Sequence, residues 1–125
     1  MKLLLDTHIL LWAVGNCPEL PSVARDAISD SKSQNFLSAA TIWEISIKLA
    51  LGRLRFPMAR MHELLDQFGC HALPISLDHA AAAGQLPPHH SDPFDRMLIA
   101  QAILEQMTIV TTDRLIRRYE VAILG

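Results

Sequence analysis

Short apolar runs alternate with longer segments of helical periodicity along the chain. The first run, residues 2–5, is apolar after Lys2 and closes at Asp6, which predicts a buried strand followed by a helix over residues 9–14. Further strands are predicted at residues 35–37, 70–75, 107–111 and 121–124. Further helices are predicted at residues 22–29, from about 39 or 41 to 51, and at 60–68, 77–84, 93–106 and 113–119.

Glycine and proline support these boundaries. Gly52 and Gly69 end two of the predicted helices, and the segment 85–91 contains two prolines and two histidines, which predicts a loop. Strands that alternate with helices predict a parallel sheet covered on both faces. We find no repeat and no linker, so we expect one α/β domain over residues 1–125, a three-layer α/β/α sandwich with a central, mainly parallel sheet.

Composition narrows the class of protein. A chain of 125 residues, 50% hydrophobic, is long enough for one compact domain, and 11 basic against 13 acidic residues exclude an overall basic surface for nucleic acid. The apolar runs are too short to span a membrane. A signal peptide needs an uninterrupted apolar region, and Asp6 and His8 interrupt the apolar residues at the start of this chain. Cys17 and Cys70 lack zinc-site spacing. We therefore expect a soluble cytoplasmic protein with reduced cysteines and no membrane contact.

Four acidic side chains are predicted to meet at one edge of the sheet. Asp6 follows the first strand and Asp113 follows the strand 107–111, while Glu44 lies in the first turns of the helix after the second strand. Asp95 begins the helix that leads back to the strand 107–111. Ligands of open parallel sheets bind beyond the carboxyl ends of the strands, so these four residues are candidates for a shared site.

Each acid also has an ordinary structural interpretation. Asp6 and Asp113 are suitable N-caps, and Asp92 before Pro93 has the pattern of an N-cap followed by proline in the first turn. Asp95 would then complete a capping box with Asp92. However, Asp95 is in helical phase with an apolar stripe, Leu98, Ile99, Ala102 and Ile103, where an unpaired carboxylate costs several kcal/mol. A cation is its natural partner.

Glu44 has two ordinary alternatives as well. Thr41 to Glu44 fits a capping box, and Glu44 with Lys48 forms a favourable i,i+4 pair. Yet two apolar stripes flank Glu44 on this helix, and we expect both to be buried, which favours the wall of a cleft. They are Ile42, Ile45 and Leu49 on one side and Trp43, Ile47 and Ala50 on the other.

Carboxylates without cysteine or paired histidine ligands favour Mg²⁺ or Mn²⁺, and such sites hydrolyse phosphodiesters with one or two ions. Thr7 and Ser38 are candidates to hydrogen-bond the acids. We interpret His8, His89 and His90 as solvated or locally hydrogen-bonded, with a role in the site left open. Trp12, Trp43 and Phe94 are interpreted as core residues.

Basic side chains near the acids are candidates to bind RNA phosphates, although the default interpretation of each is a solvated surface charge. They are Lys48, Arg53, Arg55, Arg96 and Arg114.

Four segments resemble one known family: LLLDTHILLW at 3–12, SAATIWEISIK at 38–48, HHSDPFDRMLIAQA at 89–102 and TIVTTD at 108–113. They are similar to the PIN-domain family, and within it to VapC-type toxins of bacterial toxin–antitoxin modules, over essentially the whole chain. The resemblance implies an endoribonuclease dependent on Mg²⁺ or Mn²⁺, with Asp6, Glu44, Asp95 and Asp113 as the catalytic and metal-binding acids. It also implies a homodimer and a small VapB-like antitoxin that inserts a segment near the active site.

Two other classes remain open. A phosphotransfer enzyme would use an aspartate at the sheet edge as nucleophile, but a receiver domain needs adjacent acids after the first strand, and Asp6 is followed by Thr7 and His8. The dehalogenase type needs Asp-x-Asp, which is absent there. The other class is a catalytically inactive PIN-fold module that binds RNA or an antitoxin.

Overall fold

The computed structural model describes residues 1–125 and contains one five-stranded sheet. Its strands are β1 (Lys2–Leu5), β2 (Gln34–Ser38), β3 (Cys70–Leu73), β4 (Thr108–Val110) and β5 (Ile123–Leu124). They lie in the order β3-β2-β1-β4-β5, and every neighbouring pair is parallel. The predicted parallel sheet is confirmed.

Six α-helices connect the strands: α1 (Thr7–Val14), α2 (Ser22–Ser29), α3 (Ala39–Ala50), α4 (Met61–Gln67), α5 (Leu77–Gln85) and α6 (Pro93–Glu105). Two 3₁₀ turns span Met58–Arg60 and Ile116–Arg118. No helix is both long and apolar enough to span a membrane.

Alternate residues of β1 face opposite layers, as strand geometry requires. Leu3 and Leu5 pack into a core that includes Ile9 of α1, Ala24 of α2 and Ile45 of α3. Leu4 packs on the other face into a second core with residues of α6, among them Leu98, Ile99 and Ala102. Helices therefore cover both faces, and the α/β/α sandwich is confirmed.

The strand order places a crevice between β1 and β4. From β1 the chain moves outward to β2 and β3, then returns to the other side of β1 for β4 and β5. Leu5 pairs with Val110, and the Asp6 N–H donates to the Val110 carbonyl at 3.0 Å, so Asp6 and Thr111 emerge side by side at the carboxyl edge. Such a reversal of strand order is where open α/β sheets bind ligands.

Several sequence-based boundaries were wrong. The helix predicted over 113–119 is only the turn Ile116–Arg118, and the strand predicted over 121–124 is only β5. β3 ends at Leu73 because Pro74 cannot donate to the ladder. The capping box at Thr41 is also wrong, because Ser38 is the N-cap of α3 and the Thr41 hydroxyl makes no hydrogen bond.

The expectation that both apolar stripes of α3 are buried was wrong for the stripe that contains Trp43 and Ile47. Ile45 is fully buried, but Trp43 is 61% exposed and Ile47 is 39% exposed. Trp43 packs edge-on against Phe94 of α6 with ring centroids 5.3 Å apart. Trp43 is therefore a surface residue, and Glu44 lies between a buried face and an exposed one.

Candidate active site

A polar pocket of about 240 Å³ lies at the carboxyl edge, and no hydrophobic residue lines it. The structure brings all four predicted acids together here. The lining residues are Asp6, Thr7, His8, Glu44, Lys48, His90, Asp92, Asp95 and Asp113. They come from the ends of β1 and β4, from the first turn of α1, from α3, and from the start of α6 with the loop before it.

Asp6 is held by donors from both neighbouring segments. The Thr7 N–H donates to Asp6 Oδ1 at 2.7 Å, and the Thr111 hydroxyl donates to Asp6 Oδ2 at 2.7 Å. Burial raises the pKa of Asp6, while the hydrogen bonds from Thr111 and Thr7 oppose that rise. Asp6 is also the N-cap of α1, so it both caps a helix and lines the acidic pocket.

Glu44 has a comparable pair of donors. The Thr7 hydroxyl donates to Glu44 Oε1 at 2.6 Å, and the Lys48 ammonium donates to Oε2 at 2.8 Å. The hydrogen bond to Glu44 raises the pKa of Lys48. Thr7 therefore contacts both inner acids, through its backbone and its side chain, and Lys48 places a positive charge in the pocket. We call Asp6 and Glu44 the inner half of the pocket.

Asp95 and Asp113 form the outer half, and they share one partner. His90 Nε2 lies 2.8 Å from Asp95 Oδ2 and 3.2 Å from Asp113 Oδ2. Burial, together with the nearby carboxylates of Asp6 and Asp92, raises the pKa of Asp95 to about 7. The charged form of Asp95 is therefore disfavoured in the folded protein unless a positive charge lies beside it.

Asp92 acts as the predicted N-cap. Its Oδ1 accepts the N–H groups of Phe94 and Asp95 at 2.8 and 3.3 Å. Its carboxylate also lines the pocket and contributes to the raised pKa of Asp95. Asp92 thus caps α6 and also belongs to the acidic pocket.

The residues fit a hard divalent cation. The available donors are carboxylate oxygens, which Mg²⁺ and Mn²⁺ prefer. The raised pKa of Asp6 and of Asp95 shows that deprotonating these buried side chains is costly, and a cation would offset that cost. One ligating atom each of His90, Asp95 and Asp113 lies within 4.8 Å of the other two.

The predicted RNA-binding residues occupy different places. Lys48 lines the pocket, and Arg114 is exposed directly after Asp113. Arg53 and Arg55 are exposed beyond the carboxyl end of α3, whereas α3 begins at the sheet edge. They do not line the pocket.

Arg96 has a structural role that the sequence did not reveal. Its guanidinium donates to the carbonyls of Ala83, Leu86, Pro87 and His90 at 2.9–3.2 Å. These bonds anchor the loop between α5 and α6 and occupy both terminal nitrogens of the guanidinium, which leaves Arg96 poorly placed to bind an RNA phosphate.

Of three further residues near the acids, the sequence reasoning missed one, left the role of the second open and assigned the wrong partner to the third. Thr111 was not considered, although its position after β4 and two residues before Asp113 was a usable signal. His90 is a loop residue with the expected local hydrogen bond, and its role was left open; its ring also contacts two of the acids. Ser38 was a candidate partner of the acids, but its hydroxyl caps α3 instead.

Comparisons with known proteins agree with this architecture. A family model described as PIN domain matches residues 3–122. No curated protein matches the sequence significantly.

Solved structures match over nearly the full chain. VapBC2 from Rickettsia felis, bound to a DNA fragment from its promoter, is similar with a TM-score of 0.73 at 16% identity, covering 99% of this chain and 98% of that one. A toxin–antitoxin complex from Klebsiella pneumoniae has a TM-score of 0.70 at 19% identity, covering 98% and 95%. FitAcB from Neisseria gonorrhoeae has a TM-score of 0.66 at 21% identity, covering 98% and 96%. At these identities the likeness establishes the fold.

Proposed function

Because this chain belongs to the PIN-domain family, we propose that it is a metal-dependent endoribonuclease and the toxin of a bacterial toxin–antitoxin pair. PIN domains are in general metal-dependent nucleases. The observation that carries the proposal is the pocket that gathers Asp6, Glu44, Asp95 and Asp113 without one apolar lining residue. One of the similar structures is a toxin–antitoxin complex from K. pneumoniae and another is VapBC2 from R. felis, which supports the toxin assignment.

The acids would hold Mg²⁺ or Mn²⁺. Asp6, Asp95 and Asp113 are the proposed ligands, with Glu44 binding directly or through water. A divalent cation at such a site supplies positive charge that activates water and stabilises the transferring phosphoryl group.

The remaining polar residues orient these acids and contact the substrate. Thr7 and Thr111 fix Asp6, and Thr7 and Lys48 fix Glu44, through the hydrogen bonds described above. The Lys48 side chain is 37% exposed, so its ammonium can also bind a phosphate of the RNA. Arg114, exposed beside Asp113, is the second proposed phosphate contact.

The proposed partners follow from the same family. We expect a homodimer in the cytoplasm, inhibited by a small VapB-like antitoxin. The complexes from R. felis and K. pneumoniae support a protein partner of that kind.

The direct test is cleavage of labelled RNAs, both structured and unstructured, by protein purified free of any partner. We expect cleavage with Mn²⁺ or Mg²⁺, none with EDTA, and none with Asp95→Asn. Asp26→Asn is a matched control, because Asp26 is an exposed acid on α2 outside the pocket.

The outcomes separate the function classes. Cleavage by folded Asp95→Asn would contradict the proposed centre. RNA or antitoxin binding without metal and without cleavage would favour the inactive binding module instead.

A further inference from the structure

His90 lies between the two acids of the outer half. Its side chain is 9% exposed, and its Nε2 is within hydrogen-bond distance of both Asp95 and Asp113. Two roles are compatible with these distances alone. Nε2 can be a nitrogen ligand of the cation, or it can be an N–H donor to both carboxylates.

The other ring nitrogen distinguishes the two roles. The Asp92 N–H donates to His90 Nδ1 at 3.2 Å, and an accepting nitrogen carries no proton. The single proton of the neutral ring is then on Nε2, which faces the two carboxylates. A cation on Nε2 would require that proton on Nδ1, where it would oppose the Asp92 N–H.

We propose that His90 is a positioning residue, which donates its Nε2–H to Asp95 and Asp113 and so orients both carboxylates, and that it is not a metal ligand. This inference deepens the proposed function and rests on it for the identity of the bound cation. Partners that orient ligating carboxylates typically contribute a factor of about 10–100 to metal affinity.

The scaffold holds His90 in place from the main-chain side. The His89 and His90 N–H groups donate to the Tyr119 hydroxyl at 3.1 and 2.9 Å, and that hydroxyl donates to the Pro87 carbonyl at 2.7 Å. Tyr119 is buried, and Arg96 donates to three carbonyls of the same loop and to the Ala83 carbonyl in the last turn of α5. These hydrogen bonds fix the backbone of His90. Its ring can therefore hold the carboxylates of Asp95 and Asp113 in one orientation.

The first test reads the tautomer of His90 in the wild-type protein. Long-range ¹H–¹⁵N spectra of ¹⁵N-histidine-labelled protein at pH 8 distinguish Nε2–H from Nδ1–H, with His90→Asn spectra for assignment. We expect Nε2–H both without metal and with saturating Mg²⁺. A change to Nδ1–H when Mg²⁺ is added would overturn the proposal, because it would show Nε2 bound to the cation.

The second test compares two replacements at the same position. Gln places its amide nitrogen where His has Nε2 and keeps a donor there, whereas Asn reaches only as far as Nδ1. By calorimetry we expect His90→Asn to weaken Mn²⁺ binding by about tenfold, and His90→Gln to stay within about twofold of wild type.

His89→Asn is the matched control, because the exposed His89 ring packs on Tyr119 outside the pocket. It should bind Mn²⁺ as wild type does. Equal weakening in His90→Gln and His90→Asn would contradict the donor role. If His90→Asn fails to fold, two measurements still test the proposal: the tautomer of His90 in the wild-type protein, and the Mn²⁺ affinity of His90→Gln compared with wild type.

Neither test reads RNA cleavage, so the two proposals fail separately. Protein with the Nε2–H tautomer that binds Mn²⁺ but cuts no RNA would refute the nuclease and leave the role of His90. An active nuclease whose His90 becomes Nδ1–H with Mg²⁺ would refute only the role of His90.

Discussion

The two halves of the acidic pocket are built differently. In the inner half, each oxygen of Asp6 and Glu44 accepts a hydrogen bond from a residue on a helix or directly after a strand: Thr7, Thr111 or Lys48. In the outer half, Asp95 and Asp113 share the single ring of His90, which a loop supplies. The inner acids are oriented by the sheet edge, and the outer acids depend on a loop.

The difference shows where the cost of assembling the site lies. Hydrogen bonds from Thr7 and Thr111 favour the charged form of Asp6, although burial opposes it. Asp95 has no such pair of donors, and burial with neighbouring carboxylates raises its pKa to about 7. We infer that the outer half gains most from a bound cation.

The largest expected effects come from neutralising one acid in each half. Asp6→Asn and Asp95→Asn should each abolish detectable RNA cleavage, which corresponds to a loss of about a hundredfold or more, as for other groups that stabilise charge at a reacting centre. Their stabilities should differ. Asp95→Asn relieves charge repulsion, whereas Asp6→Asn replaces one of two accepting oxygens with an amide donor.

We therefore expect Asp95→Asn to unfold at higher urea than Asp6→Asn at pH 8, measured without metal. Unfolding of both variants at neutral pH would indicate that these acids serve as structural caps and would remove the distinction between the halves.

The pH dependence of stability isolates Asp95. Its pKa is about 7 in the folded protein against an ordinary value of 3.8, so the folded state binds the proton more tightly. The free energy of unfolding should fall as pH rises from about 4 to about 7, then level off. The full shift corresponds to about 4 kcal/mol, and solvent screening of the partly exposed carboxylate lowers the expected penalty to the order of 2 kcal/mol.

Urea titrations of wild type and Asp95→Asn in EDTA at pH 5 and pH 8 measure this penalty. The gap between the two proteins should be larger at pH 8 and should shrink when Mn²⁺ is added to wild type. If the difference in free energy of unfolding between wild type and Asp95→Asn does not change with pH, Asp95 is not the source of the pH dependence.

Thr111 tests the inner half. Thr111→Val removes the donor to Asp6 Oδ2 and should cost about 1.5–3 kcal/mol, since the lost hydrogen bond involves a buried charged acceptor. Thr111→Ser keeps a hydroxyl and should stay close to wild type. Thermal denaturation at pH 8 measures the difference, and equal losses in the two variants would point to packing of the methyl group.

The smallest effects are expected from the basic residues. Lys48→Gln should change stability by only about 0.5 kcal/mol, because its bond to Glu44 is partly exposed. With a short RNA and an Asp95→Asn background, Lys48→Gln and Arg114→Ala should weaken binding and reduce its salt slope by about one each.

Arg53→Ala and Arg55→Ala provide the comparison from the far end of α3. We expect them to weaken RNA binding less than Arg114→Ala does, with a smaller change in salt slope. A larger effect at Arg53 or Arg55 would mean that the RNA path runs along α3 away from the pocket.

Much of this organisation was readable from local patterns. Alternation of Leu3, Leu4 and Leu5 between two cores follows from strand geometry, and Asp92 before Pro93 identified the start of α6. The convergence of the four acids followed from topology, because parallel strands end at one edge. Burial of Trp43 was predicted wrongly, since an apolar stripe does not show which side of a helix is covered.

Sequence alone determined the strand–helix alternation, the carboxyl-edge position of the acids and the N-caps at Asp6 and Asp92, because these depend on residues close in the chain. Only the tertiary structure decided which donors hold each acid. Thr111 meets Asp6 across 105 positions through the β1–β4 register, and His90 meets Asp113 through a loop that Tyr119 and Arg96 anchor. These contacts depend on side-chain directions and loop paths that no local periodicity encodes.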